Sequence, residues 1–202
     1  MDIATQRKWD NAVRGYDLMN GFGPERRWEP WKRQLFSQMA GNVLFLAIGT
    51  GQDIQFFPAG RRITAIDISE RMLDQARPRA EQYDGDLELR HLDVHDLDYP
   101  TATFDQVFTS CTFCSVPNPV DGLRALGRVL KPGGTLGMFE HTGSRFFPFG
   151  LMLDLMTPLT RRLGPELNRN TPDNVQRAGF VEVVVEPVYL DVVKIIRARR
   201  PD

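Results

Sequence analysis

The apolar run "VLFLAIGTGQD", Val43 to Asp53, passes straight into a turn carrying Gly49 and Gly51, and the next apolar segment, "ITAIDIS", ends in Asp67, sixteen residues after Gly51. Glycines at the exit of a strand leave backbone N–H groups and bare Cα atoms open to close approach. A carboxylate at the end of the following strand can accept from both hydroxyls of a ribose. A two-glycine turn alone is a weak signal, but the turn and the acid together point to a bound nucleoside. Asp67 can instead cap the next helix, although Ser69 is placed to do that.

Two kinds of nucleoside compete. A nicotinamide dinucleotide calls for G-x-G-x-x-G and a helix N-terminus open to a pyrophosphate. Here the run is Ala47-Ile48-Gly49-Thr50-Gly51-Gln52-Asp53, with an acid where a pyrophosphate would be repelled. A phosphate-free nucleoside with a cationic sulfonium, S-adenosylmethionine, meets no such repulsion and suits acidic and carbonyl neighbours.

Other reactive groups are few. Cys111 and Cys114, the only cysteines, form C-T-F-C, followed by Ser115-Val116-Pro117-Asn118-Pro119 and not by a helix start or a second pair. Zinc or redox chemistry would need those, or more ligands than His91, His95 and His141, so both cysteines are expected to be buried small residues and no metal is expected.

The positioning elements follow from periodicity. Strands are expected at Val43–Ile48, Ile63–Asp67, Leu87–Arg90, Gln106–Ser110, Thr135–Glu140, Val181–Glu186 and Val188–Ile196. Helices are expected after Ser69 and from Pro119 to Leu130, the latter stopped by "KPGG". Strands alternating with helices predict an α/β fold, a mostly parallel sheet covered on both faces. The last two strands, joined through Pro187 alone, are too close for a crossover and must be antiparallel. Residues 1–40 precede the sheet, with Trp9, Ala12, Val13, Tyr16 and Met19 on one helical face and Trp28, Trp31, Leu35 and Met39 on another.

With 202 residues, 42% hydrophobic, the chain can bury a core without disulfides or metal. A net charge of −1 argues against general nucleic-acid binding, and no obligate protein partner is indicated. There is no apolar signal-peptide core and no run of ~20 apolar residues, which predicts a cytoplasmic protein.

Four segments, "VLFLAIGTG", "ITAIDISERML", "LDVHDLDYPTATFDQVF" and "RALGRVLKPGGTLGMFEH", resemble the successive motifs of class I S-adenosylmethionine-dependent methyltransferases, over about Val43 to His141. The resemblance implies a Rossmann-like, seven-stranded sheet with one antiparallel strand. It puts Ala47, Gly49 and Gly51 under the methionine end and Asp67 on the ribose. Ile68 and Met72 would pack the adenine, Asp93 would take its amino group and the Val94 N–H a ring nitrogen. Ser110 and Thr112 would face the methionine moiety. Two departures stand out: Phe45 where the family usually has an acid, and Ala47 where it has glycine.

"CTFCSV", "VLKPGGTLGMFEHT" and the apolar stretch after them resemble the bacterial phospholipid N-methyltransferases, which act on phosphatidylethanolamine, and also membrane-associated thiol methyltransferases and, less closely, quinone C-methyltransferases. Methylation of the phosphatidylethanolamine amine is the expected function, a quinone, thiol or other hydrophobic acceptor the alternative. That amine is almost wholly protonated at pH 7, so His141, beyond the fifth strand, is the candidate base with Tyr16 as its partner; His141 can equally be structural, and Glu140 could attract the cation. The insertion at 146–163, with Arg161 and Arg162, reads as an interfacial element attracted to an anionic membrane surface or as a lid, and the Trp9–Tyr16 stripe as a second membrane contact.

Overall fold

The structure, a computed structural model, describes residues 1–21, 25–163 and 165–202, without the side chains of residues 14, 16–21, 25, 26, 162 and 163. The side chains of Tyr16 and Arg162 therefore lie outside the described residues.

In β1 (Asn42–Leu46), Val43 and Phe45 point to one face of the sheet and Leu44 and Leu46 to the other, and all four are buried. A strand covered on both faces reads as an unbroken apolar run, because both alternating sets must be hydrophobic. Its neighbours are β2 (Arg62–Asp67) and β4 (Phe104–Ser110), both parallel to it. With β3 (Asp86–His91), β5 (Leu130–His141), β6 (Val181–Tyr189) and β7 (Val193–Arg199) they form one sheet of order β3-β2-β1-β4-β5-β7-β6. Only β7 runs against the rest, pairing antiparallel with both β5 and β6. This is the seven-stranded, mostly parallel α/β sheet with one antiparallel strand that the sequence predicts.

Helices cover both faces. Leu123, Leu126 and Val129 of α4 (Pro119–Val129) and Val175 of α6 (Thr171–Arg177) close the core over Leu44, Leu46 and Met138. Leu35 and Phe36 of α2 (Glu25–Phe36) and Leu73 of α3 (Glu70–Ala80) close the other core over Val43, Phe45 and Phe139. Each such buried side chain contributes about 1.5–3 kcal/mol of transfer free energy. α2 and Met39, which precede the first strand, belong to this core. Only α1 (Ile3–Gly21), packed on α3 and α2, and α5 (Phe149–Leu163) stand outside the sheet's own covering.

Two expectations about the C-terminal hairpin are corrected. Pro187 lies inside β6, and the reversal comes at Leu190–Val192. Proline is tolerated there because β6 is the sheet's edge and the ladder is already irregular between Pro187 and Tyr189. β5 also begins earlier than expected: Leu130 pairs with Phe104, Lys131–Gly134 are skipped, and regular pairing resumes at Thr135 with Gln106.

Candidate functional site

The strand order reverses direction between β1 and β4, and in open α/β sheets ligands bind at the carboxyl ends of the strands beside that point. A cleft opens there, with about 680 Å³ of empty space, part of it open to solvent. The segments leaving four adjacent strands line it: Ala47 and Gly49 after β1, Asp67 and Ile68 at β2, Asp93 and Val94 after β3, and Ser110 and Thr112 after β4, with Met72 from α3. Nine of the ten residues expected at the cofactor thus share one cleft. The tenth, Gly51, is not part of its lining. Its φ of +83° and a Cβ that would stand 2.9 Å from Ile54 and 3.1 Å from Ala76 give a packing reason for glycine.

Asp67 is buried at the floor. Its Oδ2 accepts the Gly49 N–H at 2.8 Å and its Oδ1 the Ser69 N–H at 2.9 Å. Burial pushes its pKa up to about 6, against the pull of those N–H groups. The cap of α3 is Ser69, whose Oγ accepts from Met72 N–H at 3.2 Å, so Asp67 is not needed for it. The Asp93 carboxylate takes the His95 N–H and ring at 3.0 Å on Oδ1 and the Asp2 N–H at 2.7 Å on Oδ2. Burial works to raise its pKa, but these donors outweigh it and hold the carboxyl below the usual range. Two carboxylates at the polar ends, with Ile68, Met72 and Val94 between, fit an adenosine: ribose hydroxyls on one acid and the adenine amino group on the other.

A second cavity, with about 910 Å³ of empty space including its open mouth, lies against the first. Trp9, Ala47, Ser110, Cys111 and Ser115 line both. His141, Lys32, Asp53, Cys114, Pro165 and Leu167 line the second alone. Ala47 and Cys111, at the shared wall, hold φ of +58° and +51°, a left-handed conformation costing a non-glycine residue about 1–2 kcal/mol. Such strain persists only where the surroundings dictate it, and here both residues sit where the two cavities meet.

His141 is half-buried and its Nδ1 has no hydrogen-bond partner among the described residues. Burial, and then the charge of Lys194, lower its pKa, so the ring is neutral at pH 7 and can accept a proton. Asp53 is ion-paired with Lys32 at 2.9 Å. The described part of α1 brings Trp9 and Thr5 to the cofactor cleft; whether Tyr16 reaches His141 lies outside the described residues.

Three expectations change here. Glu140 cannot attract an amine from the cavity: it is fully buried, accepting from Thr109 Oγ1 at 2.7 Å and from the Thr112 and Phe113 N–H groups, with its pKa raised by burial to about 7. Cys111 is exposed at the junction, whereas Cys114 is buried with its thiol pushed up to about 12. Phe45 needs no polar role, because it packs with Phe36 and Phe57 at ring distances of 5.4 and 4.9 Å. Sequence reasoning missed Trp9, Cys111 and Ser115 as cleft residues. Position one beyond Ser110 at a strand's carboxyl end was the available signal for Cys111.

The family described as a methyltransferase domain matches residues 44–138. Human thiol S-methyltransferase TMT1B is 31% identical over 80% of this chain and 72% of its own length. The chain belongs to the class I S-adenosylmethionine-dependent methyltransferases. A demethylmenaquinone methyltransferase of Symbiobacterium thermophilum is 32% identical over 72% of this chain and 62% of its own length. The phosphatidylethanolamine N-methyltransferase of Cereibacter sphaeroides is 33% identical over 50% of this chain and 51% of its own length. Among solved structures, a Thermotoga maritima methyltransferase described as a possible histamine N-methyltransferase superposes with a TM-score of 0.74, covering 97% of this chain and 99% of its own, at 18% identity. This methyltransferase's cofactor is S-adenosylmethionine, and its relatives act on three kinds of acceptor.

Proposed function

We propose that this methyltransferase acts on a small lipophilic thiol. The observation that carries the reading is the charge in the second cavity. Its carboxylate among the described residues, Asp53, is already paired with Lys32, and the imidazole of His141 is neutral. Among the described residues, such a chamber offers a proton acceptor but no unpaired carboxylate to receive an ammonium. A thiol with a pKa of ~8.5 needs about 2 kcal/mol to ionise at pH 7, against roughly 4–5 kcal/mol for an amine near 10.4. A neutral imidazole can meet the smaller demand.

S-adenosylmethionine, when bound, supplies the electrophilic methyl group. Asp67 would hold the ribose, Asp93 and the Val94 N–H the adenine, and Ile68 and Met72 would pack against its ring. Ala47, Gly49, Ser110 and Thr112 border the methionine end. His141 takes the acceptor's proton, and the wall at Ala47 and Cys111 brings the two cavities together, where positioning does most of the work of an in-line displacement. The thiol S-methyltransferase relative supports this choice, matching over 72% of its length.

Phosphatidylethanolamine N-methylation is the second reading. Its support is the relative of that activity and the exposed apolar surface of α5. One reaction separates them: the purified chain with S-adenosylmethionine, an alkanethiol, a demethylated quinol and phosphatidylethanolamine vesicles together, analysed by mass spectrometry. The thiol reading expects a methyl thioether in amounts equal to S-adenosylhomocysteine. Methylated phosphatidylethanolamine or quinol without thioether overturns it. His141→Ala should lower kcat/KM for the thiol by about 10²-fold at pH 7, with the loss shrinking as pH rises toward the thiol's own pKa. Wild-type activity should fall only below pH 6.5, as His141 protonates at its lowered pKa.

A further inference from the structure

Helix α5 buries little of itself. Leu153 and Thr157 are its buried positions among the described side chains, four residues apart on one narrow stripe. Around them Phe147, Leu151, Met152, Leu155, Met156 and Leu159 face outward, with Phe147 84%, Leu155 73% and Leu159 64% exposed. Large apolar side chains clustered this densely on a surface mark an interaction site, because leaving them in water forfeits the transfer energy of each. No helix among the described residues is long and apolar enough to cross a membrane.

The charges around the patch select its partner. Exposed Arg145 precedes the helix and exposed Arg161 lies in its last turn, and the Lys8 Nζ donates to the Arg161 carbonyl at 3.3 Å, bringing a third cation to that end. The one acid on the helix, Asp154, accepts from Asn168 Nδ2 at 2.9 Å. An apolar helical face framed by cations is the make-up of an element lying in a membrane interface with anionic headgroups at its rim. Pro165 and Leu167, just past the end of α5 in the chain, line the second cavity.

We propose that α5 docks onto an anionic lipid bilayer, laying Phe147, Leu155 and Leu159 among the acyl chains and Arg145, Arg161 and Lys8 against the headgroups. Trp9, from the stripe of α1 expected to make a second contact, lines the cofactor cleft. Docking does not depend on which acceptor is methylated.

Vesicle flotation of the full chain tests it. The protein should float with phosphatidylcholine vesicles containing phosphatidylglycerol, and at least several-fold less with phosphatidylcholine alone or at high salt. Leu155→Glu with Leu159→Glu should lower partitioning by tenfold or more, and Arg145→Glu with Arg161→Glu should abolish the preference for phosphatidylglycerol. Circular dichroism and a thermal melt matching the wild type show that these exposed positions left the fold intact. The proposal is overturned if the protein stays at the bottom with both lipids, or if the Leu155→Glu, Leu159→Glu variant floats as well as the wild type. It is equally overturned if the chain forms a dimer that this variant breaks while never binding vesicles, which would make the face a contact between copies.

Discussion

Helices α1 and α5 are both additions to the sheet domain and both carry apolar side chains, yet they are attached in opposite ways. The first is pinned by polar bonds at the rim of the cofactor cleft: Asp2 N–H to Asp93 at 2.7 Å and Ser69 Oγ to Asp10 Oδ1 at 2.5 Å. From its apolar stripe, Trp9 reaches the cleft. The second lies on the surface with its apolar side chains turned outward. Amphipathic spacing gives the stripe but not the direction it faces. Polar bonds hold α1 at the rim of the site, where Trp9 is available to cover a ligand.

The comparison can be broken from the largest effect downward. The platform beneath both helices is the aromatic core around Phe45. Restoring the acid usual in the family, Phe45→Asp, should cost about 4 kcal/mol or more, since it removes ring packing and buries a carboxylate without a partner. Urea denaturation would show it as a lower midpoint. A variant as stable as the wild type would mean that this core does not need Phe45.

Asp67→Ala comes next, and should weaken S-adenosylhomocysteine binding by about 1.5–3 kcal/mol in calorimetry. Leu155→Glu, on α5, should leave that affinity unchanged. The same carboxylate predicts a pH dependence. Its pKa of about 6 in the fold is above the ordinary 3.8, so it is ionised and able to accept from the ribose above pH 6. Affinity should fall as pH drops through 6, and Asp67→Asn should flatten the profile. Because a raised pKa means that the folded state binds the extra proton, Asp67 also favours the fold more at pH 4 than at pH 7. A flat binding profile in the wild type would remove Asp67 from the ribose.

The smallest effect belongs to Asp10→Ala. Ser69 keeps its capping bond to Met72, so α3 is untouched while α1 loses one tether worth about 1 kcal/mol. Faster dissociation of S-adenosylhomocysteine by a few-fold, with vesicle binding unchanged, is the expected result in stopped-flow and flotation measurements.

The sheet was legible in the sequence because β1, β2 and β4 are buried on both faces and so appear as continuous apolar runs. Gly49 and Asp67 were legible as a pair, since a ligand at the carboxyl ends of adjacent strands needs bare backbone next to a carboxylate. The β6–β7 reversal was not, because Pro187 looks like a break until β6 is known to be an edge strand. Nor was α6: seven residues capped by Asn170 leave too short a period to detect. Glu140 and His141 are adjacent letters, and alternation puts them on opposite sides of β5, but only the structure shows that Thr109, Thr112 and Phe113 claim the first. Phe45 reads as a lost anchor in the sequence and as a packed ring in the fold.

Hydrogen exchange read by mass spectrometry tests the division between the two helices most directly, in one protein under three conditions. Adding S-adenosylhomocysteine should slow exchange in α1 and leave α5 unchanged. Adding phosphatidylglycerol-containing vesicles should slow exchange in α5 far more than in α1. Protection of α1 by vesicles without protection of α5, or an α1 indifferent to the cofactor, would contradict the account.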